Sequence, residues 1–226
     1  MTRNLITLAA VGLLSTSTMA QSQGDWLVRV GLGHVSPDVS SSNLFVGNTE
    51  LAGYQIDVGS STRPIVNLTW MATSNFGIEL LAAWPFEHNI KGDGVLGGAG
   101  KLGETKHLPP TLSFQYHFLP NQSFRPYAGL GLNYTIFFDS STTNTLDGAL
   151  GGPSSLSIKD SLGLALQVGA DITLTDAIFF NVDLRYIQIE ADARIRTDLP
   201  DGSRVTSRIK ADLDPWVLSA AVGFRF

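Results

Sequence analysis

Eight stretches of this chain repeat one two-residue rhythm, and in each of them the even-numbered positions form the apolar set. The first carries Trp26, Val28, Val30 and Leu32, the second Val66, Leu68 and Trp70, the third Phe76, Ile78, Leu80, Ala82 and Trp84. Leu112, Phe114, Tyr116 and Phe118 mark the fourth, Leu130, Leu132, Tyr134 and Ile136 the fifth, and Leu162 to Ile172 the sixth. Ile178 to Tyr186 and Trp216 to Phe226 complete the set. Such alternation is the signature of a strand with one apolar face. The odd-numbered face is a mixture of glycine, small residues, amides, hydroxyls and a few ions, among them Arg29, Glu79, Asp171, Asp183, Arg185 and Arg225. A soluble sandwich would bury its apolar faces against each other and show lysine and glutamate outside, and lysine is nearly absent from these strands. The pattern therefore predicts an all-β fold, an eight-stranded antiparallel transmembrane β-barrel. Its apolar stripe faces lipid, its lumen is narrow, and no strand edge is left open to hydrocarbon.

The connections alternate in length as such a barrel requires. Short turns at 73–75, 119–123 and 173–177 are assigned to the periplasmic side, and longer connections at about 36–63, 87–106, 139–158 and 191–212 to the outside. Residues 92–103, GDGVLGGAGKLG, read as flexible chain without a side-chain wall. Residues 187–212 keep alternating around Pro200, Asp201 and Gly202, which predicts a hairpin projecting beyond the bilayer. Trp26, Trp70, Trp84, Phe118, Trp216 and Phe226 fall near strand ends, where amphipathic rings suit a membrane interface.

The start of the chain adds a compartment. Arg3, the apolar stretch Leu5 to Leu14 and the small residues around Thr18 and Ala20 read as a secretory signal peptide over 1–20, with cleavage after Ala20 and the barrel over 21–226. Without Arg3 the chain holds 14 basic residues against 20 acidic ones, a formal charge of −6, which excludes an electrostatic footprint for nucleic acid. The absence of cysteine excludes a disulfide scaffold and thiolate metal sites. His88, His107 and His117 are dispersed without metal-ligand spacing. Gly100-Lys101-Leu102 lacks the hydroxyl residue that a phosphate loop places after its lysine, so no cofactor is expected.

Other residues raise chemistry of their own. Six ions inside a narrow barrel are costly unless paired, so Arg29, Glu79, Asp171, Asp183, Arg185 and Arg225 form either a structural salt-bridge network or the lining of a solute path. His34 and Ser36 lie on one side of a strand, as a surface nucleophile and base would, but no acid partner is evident and no catalysis is assigned. Pro37, Pro64, Pro85, Pro109 and Pro110 gather near the outer ends of the first four strands, where each removes a ladder donor. They either trim the strand ends or open a lateral gap through which an apolar molecule leaves the lumen for the membrane.

Five stretches in order, MATSNFGIELLAAWPFEH (71–88), HLPPTLSFQYHF (107–118), FRPYAGLGLNYTIFFD (124–139), KDSLGLALQVGAD (159–171) and DPWVLSAAVGFRF (214–226), resemble the OmpW family of small outer-membrane barrels. The resemblance implies location in the outer membrane of a Gram-negative cell and a narrow channel for passive passage of small hydrophobic molecules. It implies a constriction at Leu81 and a second gate position at Arg185, where family members carry an inward tryptophan. A guanidinium there, beside Asp183, makes a polar plug. It further implies that Phe224 and Phe226 belong to the signal read by the barrel-assembly machinery. The partners expected are outer-membrane lipid and small hydrophobic solutes. The alternative is a closed, stress-related surface barrel that serves as a receptor for phage or bacteriocin.

Overall fold

The structure, a computed structural model, describes residues 21–226, so the signal-peptide segment 1–20 lies outside the described residues. Eight antiparallel strands close into a barrel: β1 (Trp26–Ser36), β2 (Ser61–Met71), β3 (Phe76–Ala83), β4 (Thr111–His117), β5 (Phe124–Thr142), β6 (Ser161–Thr173), β7 (Ile178–Ile187) and β8 (Trp216–Arg225). Neighbours in sequence are neighbours in space, and β1 closes the circle by pairing with β8 from Leu27↔Arg225 to Ser36↔Trp216. Closure is what the membrane demands, because an unpaired backbone edge in hydrocarbon costs several kcal/mol per group, on the order of 4 or more.

The even-numbered face points outward along the strands. Leu32, Phe114, Leu130, Leu162 and Leu218 are all more than half exposed, and the aromatic residues at strand ends flank this apolar band. The odd-numbered face is buried: Arg29, Asn67, Glu79, Asn133 and Asp171 have no solvent exposure at all. The barrel is thus polar inside and apolar outside, the reverse of a soluble domain.

A transmembrane strand needs roughly 9–11 residues, and β5 runs for 19. Most of the long connections are likewise not loops but strand, a second tier that continues the barrel wall outward. Strands Tyr54–Val58, Phe86–Gly94 and Lys101–Leu108 extend one side, and Ser154–Ile158, Glu190–Asp198, Arg204–Asp212 and Leu44–Val46 the other. The hairpin expected over 187–212 is present, with Glu190↔Asp212 to Asp198↔Arg204 in register. The glycine-rich segment is a tight turn whose Leu96, Ala99 and Leu102 pack into an apolar cluster with Leu146 and Ile195, so it does supply side chains to a wall. Helix α1 (Asn144–Leu150) covers that cluster, started by Thr143, whose hydroxyl accepts from Leu146 N, and ended by Gly151 at φ 89°.

Candidate functional site

The lumen within the membrane is filled by one connected set of charges. Arg29 on β1 grips Asp171 on β6 with two bonds, Nε to Oδ1 at 3.1 Å and Nη2 to Oδ2 at 2.8 Å. Its Nη1 reaches Glu79 Oε2 on β3 at 3.2 Å and Thr69 Oγ1 on β2 at 2.7 Å. The other Glu79 oxygen accepts from Arg185 Nη2 on β7, whose Nε binds Asp183 Oδ1 at 2.8 Å. Tyr127 on β5 donates to Asp183 Oδ2 at 2.9 Å, and Asn181 Nδ2 to Asp171 Oδ1 at 2.8 Å. The network therefore draws on six strands and spans the lumen. Arg29, Glu79, Asp171, Asp183 and Arg185 are each at most 2% exposed, so side chains fill the channel at this level.

Glycine makes room for it. A Cβ at Gly169 would lie 2.5 Å from the Tyr127 hydroxyl, and one at Gly223 would enter the Phe179 ring. Arg29 sits over both Tyr127 and Phe179, 5.4 and 5.5 Å from the ring centres. Below lies a small apolar floor of Leu27, Met71 and Phe179. Arg225 stands apart from the charged centre, at the inner rim, and donates to the Asp176 carbonyl of the turn before β7. Arg125, 2% exposed and bonded to Thr173 Oγ1 at 2.7 Å, is an additional inward cation. Phe224 and Phe226 project outward toward lipid. His34 and Ser36 are also on the outer face, with His34 Nδ1 2.8 Å from Thr62 Oγ1.

One step outward along β3 from Glu79 the character changes. Leu81, 4% exposed, packs in an apolar layer with Ile65, Ala165, Ile187 and Val217. Above that layer is an apolar vestibule walled by Val35, Ile56, Val58, Ile189, Ala191 and Leu213. A second apolar space shares Ile56, Ile90 and Ala193 with it and extends toward Leu102, Leu146 and Ile195.

Three polar side chains, His88, Thr105 and His107, interrupt the apolar wall of the first space. His88 Nδ1 lies 2.5 Å from the Gly59 carbonyl, which can only accept, so Nδ1 carries the proton and Nε2 is an acceptor. His107 Nε2 lies 3.0 Å from it and supplies the donor. The rings stack at 4.9 Å, and Phe86 and Phe137 flank His107 at 5.6 and 5.8 Å. Burial holds the His107 imidazole down to about 3, and burial likewise lowers His88. Both rings are therefore neutral at ordinary pH. Dispersed in sequence, the two histidines meet because the hairpin register pairs Phe86 with His107 and His88 with Thr105, on one inward face.

The wall beside the vestibule is incompletely laddered. Between β2 and β3 the pairing runs from Met71↔Gly77 to Ile65↔Ala83, and it resumes only at Val58↔Ile90 in the outer tier. Trp84 N to the Pro64 carbonyl and Gly59 N to the Asn89 carbonyl bound the interval. Within it the Arg63 side chain crosses the seam, with Nε on the Pro85 carbonyl at 3.1 Å and Nη2 3.5 Å from Glu87. Between β3 and β4 the ladder likewise breaks from Leu81↔Thr111 to Phe86↔His107, around Pro85, Pro109 and Pro110. Three of the five prolines singled out in the sequence thus sit at that break, and Pro64 borders the other.

The chain matches the sequence model of the OmpW family over residues 22–226. It is 41% identical to outer membrane protein W of Vibrio cholerae serotype O1, with all of both chains covered. The crystal structure of the outer membrane protein OprG from Pseudomonas aeruginosa superposes with a TM-score of 0.83 at 36% identity, over 92% of this chain and 98% of that one. A more distant relative, the dibenzothiophene metabolism operon protein PahQ of Pseudomonas aeruginosa, is 24% identical over 94% of this chain and 93% of its own.

Proposed function

The chain belongs to the OmpW family of outer-membrane β-barrels, and from that premise we propose that it admits small hydrophobic molecules through the outer membrane by passive passage. The observation that carries the reading is the position of the apolar vestibule directly above a filled, charged lumen. An apolar molecule that leaves water gains about 25 cal/mol for each Å² it buries, and the vestibule walls offer that burial. Continuing past Leu81 would force it against Glu79 and Arg185, which have no apolar surface to offer and would lose their partners. The seam between β2 and β3 borders the vestibule and is spanned by the Arg63 side chain in place of backbone bonds. The solute enters from outside, rests in the vestibule and leaves sideways into the membrane. A relative named for a dibenzothiophene metabolism operon agrees with an apolar aromatic cargo.

The test is uptake of naphthalene by lipopolysaccharide-coated vesicles with and without the folded protein. Faster uptake with the protein is expected, and no difference from empty vesicles overturns the reading. The same filled lumen favours a second reading, a closed surface barrel whose outer strands serve as a receptor for phage or bacteriocin. That reading predicts neither uptake nor ion conductance, in the wild type and in Arg185→Trp alike.

A further inference from the structure

On the outward face of the extracellular hairpin, Arg194 lies directly opposite Arg208, and Arg196 is on the same face one step from Arg194. Like charges placed across a strand pair repel, and nothing in the fold requires them there. The carboxylates nearby are ion-paired to other cations, although Asp192 also feels the charge of Arg194. Asp192 is held by Lys159 at 2.5 Å, Asp198 by Arg204 at 2.6 Å and Glu190 by Lys210 at 3.2 Å. No salt bridge to Arg194, Arg196 or Arg208 is present among the described residues, and Arg208 makes one bond to the Gly47 carbonyl at 3.0 Å. Hydroxyls surround the three guanidiniums: Ser157 pairs with Arg194, Ser155 with Arg196, and Thr206 faces Arg196 from the other side. Three shallow clefts open on this face, and Arg194 lines all of them.

We propose that Arg194, Arg196 and Arg208 bind the phosphorylated core sugars of lipopolysaccharide in the surrounding outer leaflet. Guanidinium groups match phosphate oxygens by paired donors, and the flanking serines and threonine offer further donors and acceptors to sugar hydroxyls. Phe45, paired with Arg208 and lining one of the clefts, adds a face for a sugar ring. Height selects the core over the lipid anchor. Tyr186 and Trp216 face each other in register, with rings 5.3 Å apart, at the outer ends of β7 and β8. Arg194 lies eight positions further along the chain. At about 3.3 Å per residue and a tilt near 40°, that sets it roughly 20 Å beyond the interface, too far for lipid A phosphates and within reach of phosphates on the sugars above them.

The test uses the full folded protein in lipid nanodiscs, titrated with lipopolysaccharide that carries a phosphorylated core. Binding should weaken about tenfold for each arginine lost in Arg194→Ser and Arg208→Ser, with a shallower salt dependence. Lys210→Ser, on the same face, should change it little. Heat-modifiable gel mobility confirms that the variants are folded. Equal binding of core-dephosphorylated or core-free lipopolysaccharide overturns the proposal, as does unchanged binding by a folded Arg194→Ser/Arg208→Ser variant. Full competition by millimolar inorganic phosphate would assign the site to free anions and also overturn it.

Discussion

Among the described residues Glu79 is the carboxylate that touches both Arg29 and Arg185, one oxygen for each. Removing its charge leaves Arg29 with Asp171 and Arg185 with Asp183, with the two pairs joined through Asn181 and the Tyr127 hydroxyl but no longer through a shared carboxylate. Truncating one member of a buried ionic set costs about 3–5 kcal/mol because the others stay buried, and Glu79→Gln should lose that much in urea-unfolding titrations of the lipid-embedded barrel. The histidine pair makes a second prediction. Unfolded imidazole takes a proton near pH 6.5, whereas folded His107 is held at about 3. The unfolded form binds more protons between those values, so the outer tier should lose stability as pH falls from about 6.5 toward 3. Hydrogen exchange over residues 103–108, corrected for intrinsic rates, measures this, and replacing both His88 and His107 with phenylalanine should remove it. Arg29, Glu79, Asp171, Asp183 and Arg185 were legible because each carries an odd number in a strand whose even face is apolar, whereas Arg125, ahead of the alternating run of its strand, was missed. The partners of the five were not legible. Glu79 meets Arg185, 106 positions away, only through the stagger of the closed barrel, and two-residue periodicity carries no information about stagger.

At the scale of the element, the strands change character where they leave the membrane, and the chain records it. Along β7 and the hairpin that continues it the odd positions point inward, polar within the membrane at Asn181, Asp183 and Arg185 and apolar in the outer tier at Ile187, Ile189, Ala191, Ala193 and Ile195. Even positions turn at the same place from Leu184 and Tyr186 to Glu190, Asp192, Arg194 and Arg196. That inversion was readable in residues 187–212 and marks both the membrane boundary and the vestibule wall. The remaining outer connections were read as loops because their strands are short, broken by proline and glycine, and paired with distant segments. Asp57↔Lys91 and Arg208↔Phe45 are examples. The seam between β2 and β3 gives the prediction at this scale. A short bifunctional thiol reagent joining Arg63→Cys to Glu87→Cys should lower solute uptake several-fold while binding in the vestibule persists. Fluorescence of a bound apolar probe and its transfer to membrane report the two separately.

For the whole molecule, the filled lumen and the apolar vestibule divide the barrel into an inner half packed with ion pairs and an outer half that, in the proposed function, receives the solute. The inner half should stay closed to ions, so planar bilayers containing the folded protein should show no sustained conductance, and Lys and Arg substitutions outside the lumen should not change this. The fold class and its outer-membrane setting were readable from alternation, turn lengths and the family resemblance together. The vestibule was not, because it is assembled from both sides of the second tier. The most direct measurement of the account is naphthalene transfer into lipopolysaccharide-coated vesicles that carry either the freely moving or the 63–87 cross-linked barrel, with ion flux recorded in parallel. The account predicts fast transfer without ion flux for the free barrel and transfer at the rate of empty vesicles for the cross-linked one. Equal transfer by both barrels, or ion flux that rises and falls with solute transfer, would contradict it.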